Sequence, residues 1–170
     1  MTANYDCIKE VKSMFKKQHI IIALILLVML PTAAAADNSF NLGWQHSGEV
    51  SGFSVKVPLD NYLAVQPILS ISMQDKGDGL GGHASYGLRG LLSLPVLGPL
   101  HPYVGAGIGR SDRLKNGISQ VTQGYAAFLG SEFDLGHLRP SAEIAFGRLD
   151  RSGGSMYLGT MINIGFNYSF

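Results

Sequence analysis

The chain has 170 residues, of which 46% are hydrophobic and only 15% are charged, and its formal net charge is +1. Soluble domains carry about 25% charged residues, so the composition favours contact with an apolar environment, and the small net charge gives no indication of a nucleic-acid partner. The single cysteine, Cys7, excludes a disulfide framework and a thiolate metal cluster within one copy of the chain.

The amino-terminal end has the three parts of a secretory signal peptide. Two lysines precede an apolar run over Ile20–Leu30, and the small residues Ala33–Ala36 follow it. As a helix this run would span only about 16 Å, against about 30 Å for the hydrocarbon core of a membrane, which favours a cleaved signal over a retained membrane helix. We predict a signal peptide over residues 1–36, cleaved after Ala36, and a mature domain over residues 37–170.

The start of the signal peptide has two interpretations. Signal peptides usually begin with their basic segment, but residues 1–13 stand ahead of Met14 and the lysines that follow it. These residues are either an unusually long first region or lie before the true start codon.

The mature part is dominated by alternation with a period of two, which is typical of β-strands that have two different faces. In Tyr157–Phe170, apolar side chains alternate with small or polar ones. Five other segments share this pattern, and two further candidates, a short strand near Gly52–Val57 and another near Val121–Asp134, raise the number of predicted strands to eight. The predicted loops and turns are Ser47–Ser51, Leu59–Asn61, Asp75–Gly82, Val96–Leu100, Ser111–Gln120, Leu135–Gly136 and Asp150–Ser155.

Two architectures are compatible with this alternation: a soluble β-sandwich and a membrane barrel. The polar face is rich in glycine, which would weaken the strands of a soluble surface but suits the narrow interior of a barrel. The glycines on this face are Gly43, Gly87, Gly105, Gly107, Gly109, Gly147, Gly159 and Gly165. Aromatic residues near the strand ends fit interfacial girdles. The predicted fold class is therefore all-β, an eight-stranded antiparallel up-and-down transmembrane β-barrel.

One hairpin allows a prediction of register. If Leu135 and Gly136 form a two-residue turn, Phe133 faces Leu138 and Glu132 faces Arg139. Both pairs then match in character, because the first is apolar and the second is oppositely charged. We therefore predict an ion pair between Glu132 and Arg139 inside the barrel.

By the same alternation, five charged side chains project into the lumen: Lys56, Arg89, Glu132, Arg139 and Glu143. An eight-stranded barrel has an interior that side chains normally fill. The favoured interpretation is therefore a charge network that plugs the lumen, and the alternative is a gated path for ions or small solutes.

The outer rim carries a second group of charges. If the mature amino terminus is periplasmic, the longer loops are extracellular and the short turns are periplasmic, as is usual for such barrels. The basic rim residues, suited to the phosphates of lipopolysaccharide, are Lys76, Arg110, Arg113, Lys115, Arg148 and Arg151.

Two segments carry a family resemblance: Pro102–Gly109, which follows a proline-containing turn, and the closing Ile162–Phe170. With them the chain resembles the small outer-membrane β-barrel proteins, which include the OmpA transmembrane domain, OmpX-like proteins and opacity-type surface proteins. The resemblance implies a location in the outer membrane of a Gram-negative bacterium. It also implies that the terminal Phe170 is read by the barrel-assembly machinery.

The expected function is that of a non-enzymatic outer-membrane barrel with a structural or surface-interaction role through its extracellular loops. A narrow pore is the first alternative. The second is a lipid-modifying enzyme, since His83-Ala84-Ser85 resembles the His-x-Ser element of lipid A deacylase barrels, although the rest of that motif is missing. No catalytic residue, metal site, cofactor or nucleic-acid partner is predicted, and the sequence does not identify an external ligand.

Overall fold

A computed structural model describes residues 40–47, 50–76, 79–115 and 118–170. The predicted signal peptide, residues 1–36, lies outside this range. The eight strands are β1 (Asn41–Ser47), β2 (Val50–Pro58), β3 (Leu63–Lys76), β4 (Gly79–Ser93), β5 (Leu100–Lys115), β6 (Ile118–Phe133), β7 (Leu138–Arg151) and β8 (Met156–Ser169). Among the described residues, no helix is long and apolar enough to cross a membrane.

Each strand pairs with the next in antiparallel orientation, and β1 also pairs with β8, which closes the barrel. Closure gives each strand a paired neighbour on both sides. The pairing is partial where the short strands lie, because β1 reaches β8 only over residues 164–169 and β2 reaches β3 only over residues 64–69. The predicted eight-stranded antiparallel up-and-down β-barrel is confirmed.

The two faces of the strands differ as the alternation predicts. Outward apolar residues are open, and Ile162 is 74% exposed, whereas inward polar residues such as Gln45, at 1%, are buried. A soluble protein buries its apolar face, so this barrel is inverted relative to one. The lumen holds the buried polar residues together with a hydrophobic cluster around Tyr103 and Phe128, and the outer wall is the apolar surface of the molecule.

One end of the barrel, which we call the turn end, holds both termini of the wall and three tight turns. The turns in Leu97–Leu100 and Leu135–Leu138 each place a glycine at the first central position, with φ values of 62° for Gly98 and 83° for Gly136. Only glycine adopts such angles without strain, and a positive φ at this position suits the twist of a hairpin. In the third turn, the Asp60 carboxylate accepts bonds from two backbone N–H groups, which lower its pKa.

The predicted β6–β7 register is wrong. Leu135 pairs with Leu138, so the turn consists of Gly136 and His137, and Glu132 faces Ser141 instead of Arg139. The turn begins one residue later than predicted because Gly136 takes the first central position, where a positive φ is required. The difference is two residues along β7, so every side chain keeps its predicted face.

The predicted long loops over Asp75–Gly82 and Ser111–Gln120 are also wrong. We call the opposite end the rim end. There β3 continues to Lys76 and β4 begins at Gly79, while β5 continues to Lys115 and β6 begins at Ile118. The alternation fades there because polar residues occur on both faces. Strand pairing persists because it needs only backbone hydrogen bonds.

Candidate functional site

The lumen contains two polar layers that cross from wall to wall. In the layer nearer the turn end, Lys56 Nζ on β2 lies 2.8 Å from both carboxylate oxygens of Glu132 on β6. Asn167 Nδ2 donates to Glu132 Oε1 at 2.9 Å. Strands β2 and β6 stand four apart in a ring of eight, so this ion pair spans the full width of the lumen.

The second layer lies near the middle of the barrel. Arg89 on β4 pairs with Glu143 on β7, and both side chains are buried. The Tyr103 hydroxyl donates to Glu143 Oε1 at 2.7 Å, and Asn163 Nδ2 donates to Oε2 at 2.9 Å. The carboxylate therefore has three partners on three other strands, which offsets the cost of burying it.

Aromatic rings fill the space around these charges. The Arg89 guanidinium lies over the Phe128 ring, with Cζ 4.2 Å from its centroid. Phe128 contacts Tyr103 edge-on at 6.4 Å, and Lys56 Nζ lies 5.7 Å from the Tyr103 centroid. Tyr103 thus links the two layers, and the cation–π contacts add to the ion pairs.

Inward glycines make room for these side chains. A Cβ built on Gly130 would lie 2.6 Å from Glu143 Cγ and 2.9 Å from Tyr103 Cζ. A Cβ on Gly105 would lie 2.5 Å from the Phe128 ring. The glycine-rich face predicted from the sequence is therefore the space that the larger polar and aromatic side chains occupy.

Substituting Gly130 with alanine should destabilise the barrel by about 1 to 3 kcal/mol, because the added methyl overpacks the layer at Glu143. Gly90→Ala is the matched control, since Gly90 is exposed and its Cβ would meet nothing within 4 Å. Urea titrations of both refolded variants, with the folded fraction read by gel mobility, measure the difference. Equal midpoints would show that the layer tolerates the extra volume.

The predicted lumen network comprised five residues, and the structure brings four of them into the two layers. The fifth, Arg139, bonds to Asp134 Oδ2 at 3.4 Å instead of Glu132, so the predicted Glu132–Arg139 ion pair is wrong. Glu132 reaches across the lumen to Lys56, which the long lysine side chain allows. Asp134 follows β6, and the Gly136 backbone N–H holds its pKa below the usual value, with smaller contributions from Arg139 and His101.

Gln66 also joins the Glu132 layer, because its Nε2 donates to Asn167 Oδ1 at 3.4 Å. Sequence reasoning missed the neutral members of these layers, namely Tyr103, Asn163, Asn167, Gln66 and Phe128. Tyr103, Asn163 and Asn167 lie on the inward face of the predicted strands, and each has a much larger side chain than the glycines beside it on that face. That contrast in size was the available signal, because a narrow lumen admits few large side chains and those it admits must pack on one another.

The lumen holds a small cavity of about 60 Å³, whose lining includes Val50, Arg89 and Asn163. Val50 is buried, and a Cβ built on Gly109 would lie 2.7 Å from it. Sites for small organic ligands measure about 300 to 1,000 Å³, so this cavity has room for a few water molecules only.

The His83 and Ser85 side chains each have a hydrogen-bond partner outside the His-x-Ser element. His83 Nε2 lies 2.9 Å from Ser111 Oγ, and the buried Ser85 Oγ donates to the Ser51 carbonyl at 2.9 Å. Within the described residues, no three His, Cys, Asp or Glu side chains gather as a metal site would need.

The four arginines of the predicted basic rim divide into two groups by the face on which they lie. Arg110 and Arg148 share the outward face of β5 and β7 with Ile108 and Phe146, whereas Arg113 and Arg151 share the inward face and stand at the mouth of the lumen. The remaining two, Lys76 and Lys115, end β3 and β5, and their side chains lie outside the described part of the structure.

The outward face defines the class of protein. Along β7, ten residues separate Leu138 at the turn end from Arg148, a rise of about 25 Å for a tilted strand. Every outward residue between them is apolar: Pro140, Ala142, Ile144 and Phe146. An exposed apolar band of this height around a closed barrel is the surface of a transmembrane β-barrel.

No protein-family model and no curated protein matches the chain. Three solved structures with which it shares some similarity are Neisserial surface protein A, the N-terminal β-barrel domain of Pseudomonas aeruginosa OprF, and the outer membrane protein AlkL. Their identities to the chain are 14%, 16% and 16%, with TM-scores of 0.48, 0.44 and 0.40. The matches cover 78%, 78% and 77% of this chain and 94%, 96% and 84% of the others. At these identities and TM-scores, no functional residue or partner is transferred to this chain.

Proposed function

We propose that the chain is a non-enzymatic integral protein of the outer membrane of a Gram-negative bacterium, with a filled lumen and a structural role in that membrane. The observation that carries this proposal is the pair of ion-pair layers that cross the barrel, Lys56–Glu132 and Arg89–Glu143. Filled lumens are the expected state of eight-stranded barrels.

The proposed orientation places the turn end in the periplasm. Short turns are typical of the periplasmic side, and the strands that continue past Arg110 and Arg148 are typical of the extracellular side. The closing strand then carries the outward aromatic residues Tyr168 and Phe170 at its periplasmic end, their rings 5.2 Å apart. This position suits recognition of the strand by the barrel-assembly machinery, which we propose as a partner during biogenesis.

The surface-interaction role expected from long loops receives less support than the structural role. Strands occupy most of the residues predicted as loops, so the rim end is built from paired strands instead of long loops. An external partner would therefore meet the rim strands and the mouth-side residues Arg113 and Arg151. The structural role is the function that the described residues support best.

In planar bilayers, the purified barrel should produce no discrete conductance steps, because the Lys56–Glu132 and Arg89–Glu143 ion pairs cross the lumen. A variant that truncates Lys56, Arg89, Glu132 and Glu143 to alanine should conduct if it folds. Regular steps from the unmodified protein would contradict the filled lumen and favour the pore. Folding of both proteins is checked by the heat-dependent shift in gel mobility, and location by fractionation of the cell envelope.

The enzymatic alternative is tested in the same cells. Mass analysis of lipid A with and without the protein should give identical species, because Ser85 donates its hydroxyl to a backbone carbonyl inside the barrel. A lost acyl chain that depends on Ser85 would overturn the non-enzymatic proposal.

A further inference from the structure

Two segments of the wall repeat each other. Residues 97–112 and 135–150 are identical at seven of 16 positions, and both comprise a Leu-Gly-x-Leu turn and the strand after it. The repeat ends in Ile108-Gly109-Arg110-Ser111-Asp112 on β5 and in Phe146-Gly147-Arg148-Leu149-Asp150 on β7. Each arginine therefore lies ten residues beyond the leucine that starts its strand, at the same height on the wall.

The two arginines have similar surroundings, although Arg148 is more exposed and also hydrogen-bonds Tyr125. Arg110 Nε donates to Asp112 Oδ1 at 2.8 Å, and Arg148 Nε donates to Asp150 Oδ1 at 2.9 Å. Directly across the sheet, Tyr86 on β4 faces Arg110 and Tyr125 on β6 faces Arg148. The aspartate fixes each guanidinium through one of its five N–H donors, so donors remain for a planar anion such as phosphate.

The height of the arginines matches the boundary of the membrane. An arginine that faces lipid costs about 2 to 4 kcal/mol at the midplane but only about 0 to 1 kcal/mol near the interface. Both arginines stand at the rim-side edge of the apolar band, where lipid phosphates lie and interfacial tyrosines are common. Strand spacing and register put their Cα atoms about 12 Å apart, one strand between them.

A groove on the lipid-facing wall begins directly below the arginines. Gly90, Ala106 and Ala127 form one register row across β4, β5 and β6, and their small side chains leave a depression of about 460 Å³. Ile108 and Tyr125 border the groove on the rim side, and they lie beside Arg110 and opposite Arg148, respectively. The wall therefore offers cationic donors above an apolar groove, in the order that a phosphorylated lipid presents phosphate and acyl chain.

We propose that Arg110 and Arg148 bind the phosphates of a bisphosphorylated glycolipid of the outer leaflet, the lipopolysaccharide class, and that one of its acyl chains occupies the groove of Gly90, Ala106 and Ala127. This inference rests on the proposed orientation in the outer membrane. It selects two of the six basic rim residues as the lipid contacts and assigns Arg113 and Arg151 to the lumen mouth.

Native mass spectrometry of the full chain, recovered from membranes in detergent, tests the proposal by titration with bisphosphoryl lipid A. Arg110→Gln with Arg148→Gln should weaken binding by about tenfold or more. Arg113→Gln with Arg151→Gln removes the same charge from the mouth and should change it by less than about twofold. Equal weakening by both pairs would reduce the effect to net charge and overturn the site.

The groove is tested without any change in charge. Ala106→Leu with Ala127→Leu fills it and should weaken lipid A binding by about threefold or more, whereas Ala142→Leu, outward on β7 and away from the groove, should not. Unchanged binding by the filled groove would overturn the acyl-chain assignment.

Lipid class is resolved by two further probes. Phosphatidylglycerol should bind more weakly than lipid A, and inorganic phosphate should not displace lipid A. Equal binding of phosphatidylglycerol, or displacement by inorganic phosphate, would overturn the bisphosphorylated glycolipid as the ligand.

The heat-dependent shift in gel mobility verifies that each variant folds. If the glutamine pair does not fold, Arg110→Lys with Arg148→Lys replaces it, and this lysine pair should lose part of the binding. A folded barrel in the outer membrane that fails to bind lipid A would overturn this inference alone.

Discussion

Substitution of Glu143 with glutamine is expected to destabilise the barrel by about 3 to 5 kcal/mol. Glu143 is the acceptor for Arg89, Tyr103 and Asn163 near the middle of the lumen, and its side chain is fully enclosed. The neutral amide leaves the buried Arg89 charge without its counter-ion, and an uncompensated buried charge is among the most costly single changes.

Equilibrium urea unfolding in lipid vesicles, with the folded fraction read by gel mobility, measures this effect. Asp150→Asn is the matched control, because it also removes a carboxylate from an arginine, but from a pair whose side chains are 43% and 38% exposed. The control should change the free energy of unfolding by less than about 1 kcal/mol. A loss of less than about 1 kcal/mol in Glu143→Gln would show that Arg89 has another counter-charge or is hydrated.

A double variant separates the ion pair from the loss of packing. Arg89→Met with Glu143→Leu removes both charges and keeps most of the volume, so it should cost less than the sum of the two single changes. Strict additivity would mean that the two side chains do not interact across the lumen.

Ile144→Arg is expected to lower the free energy of unfolding by about 2 to 4 kcal/mol, because Ile144 faces lipid close to the midplane of the apolar band. Ile144 is exposed on the outward face of β7, six residues from Leu138 and four from Arg148. The added guanidinium would meet hydrocarbon, because the residues across the sheet on either side of it, Leu129 and Ile162, are apolar.

The depth dependence of this cost is the sharper part of the test. Gln123 on β6 is also outward and exposed, and it pairs with Arg110 at the rim-side edge of the band. Gln123→Arg should therefore cost only about 0 to 1 kcal/mol. Equal costs at positions 123 and 144 would place the lipid boundary elsewhere and would also remove the basis for the phosphate site.

The sequence by itself determined the faces of the strands. Alternation is local, since successive side chains of a strand point to opposite sides whatever the register. For this reason Ile144, Arg89 and Glu143 were all assigned to the correct face, and the strand number and fold class followed. The glycine-rich inward face also indicated a narrow lumen before any contact was known.

The partners across the lumen were decided only by the tertiary structure. Glu132 was paired with Arg139 from the turn sequence, but the turn begins one residue later and Glu132 meets Lys56, 76 positions away in the chain. Which residues share a layer depends on strand tilt and on the stagger of the closed barrel, and no local pattern records either quantity.

The division of the rim arginines was decided in the same way. The sequence predicts one basic rim that contains both Arg110 and Arg113, but backbone pairing carries β5 to Lys115 and gives the two arginines opposite faces. The groove below Arg110 likewise arises from one register row on three strands. The sequence thus determined what faces lipid and what faces the lumen, because side-chain direction is a local property. The closed sheet decided which residues meet, because contacts between strands depend on register.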